Sequence, residues 1–311
     1  VLRACQAEGV DCRIHERGCT FRHYQIWENY LPHDIDYQRE RMQLHWENAE
    51  SLGDRETKAA EWFKGRVQRV ETNWISFVKG QEEGCLPEGW DSQRKNIVIF
   101  TTSEDEFVAI DDCWDGHLYP NQSDAILSIA IEFLRKDPNV MITVRMHPNV
   151  ADVDNARNHQ MKRLSLANLK IVAPETKVDS YHLMQQADTV VTFGSTIGIE
   201  AVFWNKPSVL LGPCFYRHLK GPYCPEHRRE VVELLSGDLL PMANHEALIY
   251  GYWQSTHGIK YEHFQADDLF SGSFRGTPVY PKPPKTLLRQ FSKKFHSVRK
   301  RLPLKGLRGT A

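Results

Sequence analysis

The chain has 311 residues, of which 41% are hydrophobic and 25% charged, with a formal net charge of −1. That balance suits a globular protein with a real core, and the length suggests two domains. Near-neutral charge gives no general attraction to nucleic acid, and no run of about 18 apolar residues is present to form a transmembrane helix.

The opening "VLRACQAEGVDCRIHERG" predicts a helix over residues 1–7, a break at Gly9 and a short strand around Cys12–His15. Beginning with valine inside a helix, the chain is expected to lack an upstream piece that includes a first strand. The seven cysteines are odd in number and contain no C-x-x-C pair, which favours reduced, cytosolic thiols over disulfides or zinc.

Residues 27–79 carry aromatics at three- and four-residue spacing among Glu, Arg and Gln, which predicts helix. Trp62, Phe63, Val67, Val70, Trp74 and Phe77 are expected to line one inner face. The Gly/Pro-rich stretch at 80–89 predicts a domain boundary.

Strands and helices then alternate. Strands are predicted at 96–102, 140–148, 169–173, 189–193 and 208–212, with helices at 123–136, 179–187 and 197–204 and a helical or loop stretch at 152–166. That rhythm predicts an α/β fold with a parallel, doubly wound sheet. Residues 226–237 and 243–256 are expected to be helical. From Lys282 to Arg308 the chain has ten Lys/Arg and no acid, with Leu287, Leu288, Phe291, Phe295 and Val298 at helical spacing.

In open α/β sheets, ligands bind beyond the carboxyl ends of the strands. Three such ends carry unusual polar residues. "FTTSEDE" offers Thr101, Thr102, Ser103 and Glu104, and "VRMHPN" offers Arg145 and His147. "FGSTIGIEA" offers Gly194, Ser195, Thr196 and Glu200. Gly194 would let the backbone approach a ligand, and Ser195 would cap the next helix. A histidine held at the sheet edge by Pro148 suits a phosphate contact or a general acid. Each loop taken alone also fits ordinary capping, and the absence of G-x-G-x-x-G or a Walker lysine argues against NAD and ATP. The acids Asp111, Asp112 and Asp115, and the pair Asp152 and Asp154, read as solvated loops, so no metal site is expected.

In that order, "VIFTTSEDEF", "VRMHPN" and "ADTVVTFGSTIGIEAVFWNKPSVLLG" resemble the capsule polysaccharide biosynthesis proteins, a family within the GT-B glycosyltransferases, over roughly residues 95–220. Related motifs occur in bacterial Kdo and sialyltransferases, which use CMP-sugars. The resemblance implies a GT-B-like fold of two Rossmann-like domains facing a cleft, the N-terminal one incomplete and helix-rich. It implies residues 1–90 on the acceptor side, 91–253 binding a nucleotide sugar, 254–281 crossing back and 282–311 forming a basic tail. It implies catalytic roles for His147 and Glu104, and donor contacts from Ser103, Arg145, Ser195, Thr196, Gly198 and Glu200. His147, Ser195 and Thr196 would meet the phosphate, Glu200 the ribose, and Ser103 and Glu104 the sugar.

The implied activity is metal-independent transfer from a nucleotide sugar, CMP-linked, to a capsule or surface polysaccharide, with no cofactor beyond the donor. Glu16, His33, Asp34 and Asp36 are the candidates for the base. The expected partners are the donor, a glycan or lipid-linked glycan acceptor and an anionic membrane surface met through 282–311, but no nucleic acid. The expected location is the cytoplasm, at the inner face of the plasma membrane. A nucleotide-sugar 2-epimerase-like enzyme and a non-catalytic nucleotide- or glycan-binding relative remain as alternatives.

Overall fold

The computed structural model describes residues 1–72, 74, 76–104, 114, 116, 118–268 and 271–279. The basic tail 282–311 and the acids Asp111, Asp112 and Asp115 lie outside the described residues. The chain divides into two compact units, Val1–Ile259 and Lys260–Ala311.

The first unit opens with helix α1 (Leu2–Ala7) and an antiparallel hairpin, β1 (Arg13–Arg17) with β2 (His23–Glu28). Helices α2 (Ile35–Glu47) and α3 (Leu52–Val67) follow. Asp34 caps α2 by accepting from the Tyr37 amide at 2.8 Å, and Ser51 caps α3 by accepting from Asp54. The helical stretch expected over 27–79 is therefore narrower at both ends. Its first two residues finish β2, and α3 stops at Val67 with Arg69 at φ 64, a left-handed conformation that cannot continue a helix. Val70 and Trp74 consequently do not share the inner face of Phe63. They are 50% and 45% exposed, whereas Phe63 is fully buried.

The centre of the unit is a five-stranded parallel sheet: β3 (Lys95–Phe100), β4 (Val140–Arg145), β5 (Leu169–Val172), β6 (Thr189–Thr192) and β7 (Ser208–Leu210). These short, mostly apolar and β-branched runs suit strands covered on both faces. Their spatial order is β5-β4-β3-β6-β7. The chain thus adds strands outward on one side of β3, then returns to build the other side. The crevice between the carboxyl ends of β3 and β6 is the topological switch point, where doubly wound sheets bind ligands.

Helices α4 (Gln122–Lys136), α5 (Ala156–Lys162), α6 (Ser180–Gln186) and α7 (Ile197–Phe203) connect these strands, close to the predicted positions. On one face, Ala125, Ile126, Ile129 and Phe133 of α4 pack on Ile97, Ile99 and Ile142. Their i, i+1, i+4 and i+8 spacing makes the apolar stripe that requires this burial. On the other face, Val98, Phe100 and Val190 meet Leu183, Ile197 and Ala201. Helices α8 (Arg228–Ser236) and α9 (His245–Thr256) complete the unit. Met42, Trp46, Ala59 and Phe63 of α2 and α3 form a further core with Ala247, Tyr250 and Trp253 of α9 and with Val202 of α7. The N-terminal helices are in this way fixed beside the sheet.

The second unit, within its described residues, is a small antiparallel sheet of β8 (Phe264–Ala266), β9 (Gly272–Phe274) and β10 (Thr277–Pro278). Among the described residues no helix is long and apolar enough to cross a membrane.

Candidate functional site at the carboxyl edge of the sheet

A cavity opens at the switch point. Thr101 from the end of β3, His147 from the end of β4, and Ser195, Thr196 and Glu200 beyond β6 all line it, together with Arg145. The polar residues of the three loops are thereby brought together, with Ser103 and Glu104 placed slightly apart. Those two line an adjoining cavity with Gln122, Asn149 and Arg157.

His147 is held on several sides. Its amide donates to Thr101 Oγ1 at 3.0 Å, tying the β4 loop to the β3 loop. Its Nδ1 lies 2.5 Å from Asn149 Oδ1, which also accepts from the Ser103 hydroxyl at 2.9 Å. The Asn149 backbone amide also points to Nδ1, at 3.3 Å, and in the tautomer that carries its proton on Nδ1 the ring's acceptor is Nε2. The Phe77 ring meets the imidazole edge-on at 5.1 Å. Burial, reinforced by the Arg145 and Arg66 charges and opposed by the Asn149 hydrogen bond, lowers the ring to about 4. At neutral pH it is uncharged.

Arg145 is 1% exposed. Its guanidinium donates to Ala173 O at 2.6 Å, Thr176 Oγ1 at 3.1 Å and Ser180 Oγ at 3.4 Å. It organises the loop after β5 while leaving its charge at the cavity wall, and desolvation pulls it down to about 10.

The turn between β6 and α7 differs from expectation. Ser195 does not cap α7; the cap residue is Thr196, with no side-chain hydrogen bond to the helix. Thr192 Oγ1 accepts from the Ser195 amide at 3.0 Å and the Gly194 amide at 3.4 Å, which braces the turn that precedes the helix. The Ser195 and Thr196 hydroxyls are thus not committed to capping. Gly194 sits at φ 126, where a side chain would meet Pro213 O at 2.6 Å. Its need for glycine comes from the neighbouring loop. Gly198 likewise packs closely: a Cβ there would lie 2.5 Å from Thr192 Cγ2 and 2.6 Å from Tyr216 Oη.

Glu200 is 1% exposed, and both oxygens are engaged. Oε1 accepts from Arg66 Nη2 at 3.3 Å, and Oε2 accepts from Tyr181 Oη at 2.6 Å. A ribose hydroxyl approaching this carboxylate must share it with those two groups. Glu104 accepts from the Gln122 amide at 2.7 Å and stands 3.6 Å from Arg157, so it fixes the start of α4 beside the second cavity.

The base candidates are also engaged. Asp34 caps α2, Asp36 pairs with Arg39 at 3.1 Å, Glu16 accepts from the Arg17 amide at 2.9 Å, and burial lowers the His33 ring. Asp154 pairs with His159 at 2.6 Å, consistent with a surface loop.

Four contributors escape sequence reading. Arg66 and Phe77 come from the N-terminal segment, more than a hundred residues from the β6 turn, with no local signal. Tyr181 follows β5 in "KVDSYHL", a fourth carboxyl-edge loop whose polar run was the available clue. Asn149 stood inside "VRMHPN", beside the histidine it orients.

KpsC, beta Kdo 2,4 transferase, from Thermosulfurimonas dismutans superposes with a TM-score of 0.51 at 14% identity, covering 80% of this chain and 74% of its own. The beta Kdo 2,7 transferase of the same organism gives 0.43 at 16%, covering 80% and 72%. The UDP-GlcNAc 2-epimerase of Neisseria meningitidis gives 0.28 at 15%, covering 53% and 40%. No curated protein matches the chain by sequence. The first likeness carries the fold: an α/β, Rossmann-like architecture of the GT-B kind, of which the described residues contain one parallel sheet. Residues 92–221, which hold that sheet and every loop of the cavity except the N-terminal one, match the capsule polysaccharide biosynthesis protein family.

Proposed function

We propose that the chain is the donor-binding part of a capsule or surface polysaccharide glycosyltransferase that uses a nucleotide sugar, CMP-linked. The observation that carries this reading is the gathering of Thr101, His147, Ser195 and Thr196 around one cavity at the switch point. Two arginines line the same cavity against one carboxylate, so its charge favours an anion.

In this reading the donor phosphate lies between His147 and the Ser195 and Thr196 hydroxyls, with the sugar towards Ser103 and Glu104. The reaction breaks the bond between the anomeric carbon and the phosphate oxygen and forms one to an acceptor hydroxyl oxygen. The departing nucleotide gathers negative charge. His147 starts neutral, and an arriving anion favours its charged form against the burial and the two arginine charges that depress the ring. Nε2 then takes up a proton from solvent in the cavity and holds it against the leaving phosphate oxygen. The acceptor's proton passes to a base that we do not assign among Glu16, His33, Asp34 and Asp36. No metal or cofactor is invoked.

The basic stretch 282–311 is proposed to meet an anionic membrane carrying the acceptor. Co-sedimentation with anionic liposomes should fall when those residues are removed, and equal binding by both forms refutes this part. For the activity itself, CMP-sugar should yield CMP and an extended glycan, with no metal added. Interconversion of the nucleotide sugar without transfer would instead mark an epimerase.

A further inference from the structure

Arg66 has no place in the site read from the sequence, yet it lines the cavity with His147 and Thr196. It closes the last turn of α3, whose Ala59 and Phe63 are buried against α9, so its backbone position is rigidly set. Among the described residues its guanidinium donates from Nη2 to Glu200 Oε1 at 3.3 Å and Thr196 Oγ1 at 3.5 Å. The buried Nε has no acceptor among the described residues. A buried, unsatisfied guanidinium donor is costly, so Glu200 and Thr196 leave this head under-satisfied, and an oxyanion in the cavity suits its remaining N–H groups. A third of the Arg66 side chain is still exposed, whereas that of Glu200 is 1% exposed. The carboxylate is therefore sealed beneath, and the arginine side chain is the member of the pair that reaches the cavity surface.

We propose that Arg66 binds the phosphate group of the ligand in this cavity, and that Glu200 is a positioning residue that holds Arg66 there. This rests on the donor-site reading above but differs from it in residue and role. The N-terminal segment then supplies part of the donor site, and the pocket is incomplete without it. Glu200 acts through Arg66, with Tyr181 fixing its other oxygen. The Arg66 charge also reaches His147, whose ring it helps to lower.

The test is calorimetric titration of the full chain with pyrophosphate and, separately, with CMP, UDP and GDP. Loss of Arg66 alone strands a buried carboxylate, so the key variant is the double Arg66→Gln, Glu200→Gln, with folding checked by circular dichroism. The expected result is that the double variant loses about tenfold to a hundredfold in pyrophosphate and nucleotide affinity. Glu200→Gln alone should strengthen pyrophosphate binding, because a competing negative charge is gone and an acceptor for Arg66 is kept. Arg66→Lys should recover part of the loss through its charge. Equal affinity in wild type and double variant overturns the role of Arg66 and leaves the donor reading standing. A loss in Glu200→Gln as large as the double variant's also overturns it, since pyrophosphate has no ribose to explain that loss. Arg66-dependent pyrophosphate binding without any nucleotide binding upholds Arg66 and removes the nucleotide reading. No binding of any anion by the wild type overturns both.

Discussion

Tyr181 donates its hydroxyl to Glu200 at 2.6 Å, from an α6 that Asp179 caps by accepting from the Tyr181 and His182 amides. This bond fixes one oxygen of a sealed carboxylate and leaves the other to Arg66. Glu200 pushes the tyrosine hydroxyl's ionisation upwards after burial has already done so, which keeps Tyr181 a donor at any accessible pH.

Breaking that arrangement from one side should be costly. Arg66→Met leaves a buried carboxylate without its cation and is expected to lower stability by about 3 kcal/mol. Combining it with Glu200→Gln should recover most of the loss, because no buried charge then remains. Urea denaturation of Arg66→Met, Glu200→Gln and the double variant checks this. Additive losses would show that the pair is not coupled.

Asn149 sets the state of His147 through the 2.5 Å contact at Nδ1. Replacing Asn149 with Asp places a negative charge beside the ring and should raise its titration from about 4 towards the ordinary value of 6.5. Histidine side-chain NMR over the acid range reads this directly. An unmoved titration would contradict the proposed orientation of the ring.

Acid sensitivity should follow from His257. The ring is 5% exposed, stacks on Trp253 at 4.5 Å, and is lowered to about 4, first by burial and then by the nearby His45, Arg41 and His23. The unfolded chain protonates this group near 6.5 and the folded chain only near 4. Stability is therefore whole above pH 6.5 and declines as pH falls from 6.5 to 4, by on the order of 3 kcal/mol for this residue. His147 and His218, also lowered to about 4, act in the same direction. In His257→Gln the decline in urea midpoint across that window should be shallower.

Gly198 tests the packing reading of the β6–α7 turn. Gly198→Ala forces a methyl against Thr192 and Tyr216 and is expected to cost about 1–3 kcal/mol by displacing one of them. A neutral result in thermal unfolding would show that the turn has slack and return Gly198 to a ligand-facing role.

The sheet and its polar edge were legible because their signals are local. Apolar runs such as "NIVIF" and the α4 stripe from Ala125 to Phe133 state their own burial, and each loop quotes its hydroxyls in sequence. What was not legible depends on long-range contact. Nothing in "KGRVQ" announces that Arg66 meets Glu200, 134 positions later. The helix end after Val67 was missed because Arg69 takes a left-handed conformation without a glycine to advertise it. Ser195 was read as the cap because a serine before a helix usually is one. In the structure Thr196 holds the cap position without a side-chain bond to the helix, and Thr192 accepts from the amide of Ser195 itself.

The central claim is that the cavity at the carboxyl edge of β3 and β6 binds a nucleotide through His147. Titration of the full chain with CMP, with UDP, GDP and CDP-glycerol as comparators, tests it most directly. The account predicts saturable CMP binding, tighter than the comparators, that weakens about tenfold in His147→Ala while the thermal midpoint without ligand stays nearly unchanged. Absence of saturable binding by all four nucleotides, or full CMP affinity in His147→Ala, would contradict it.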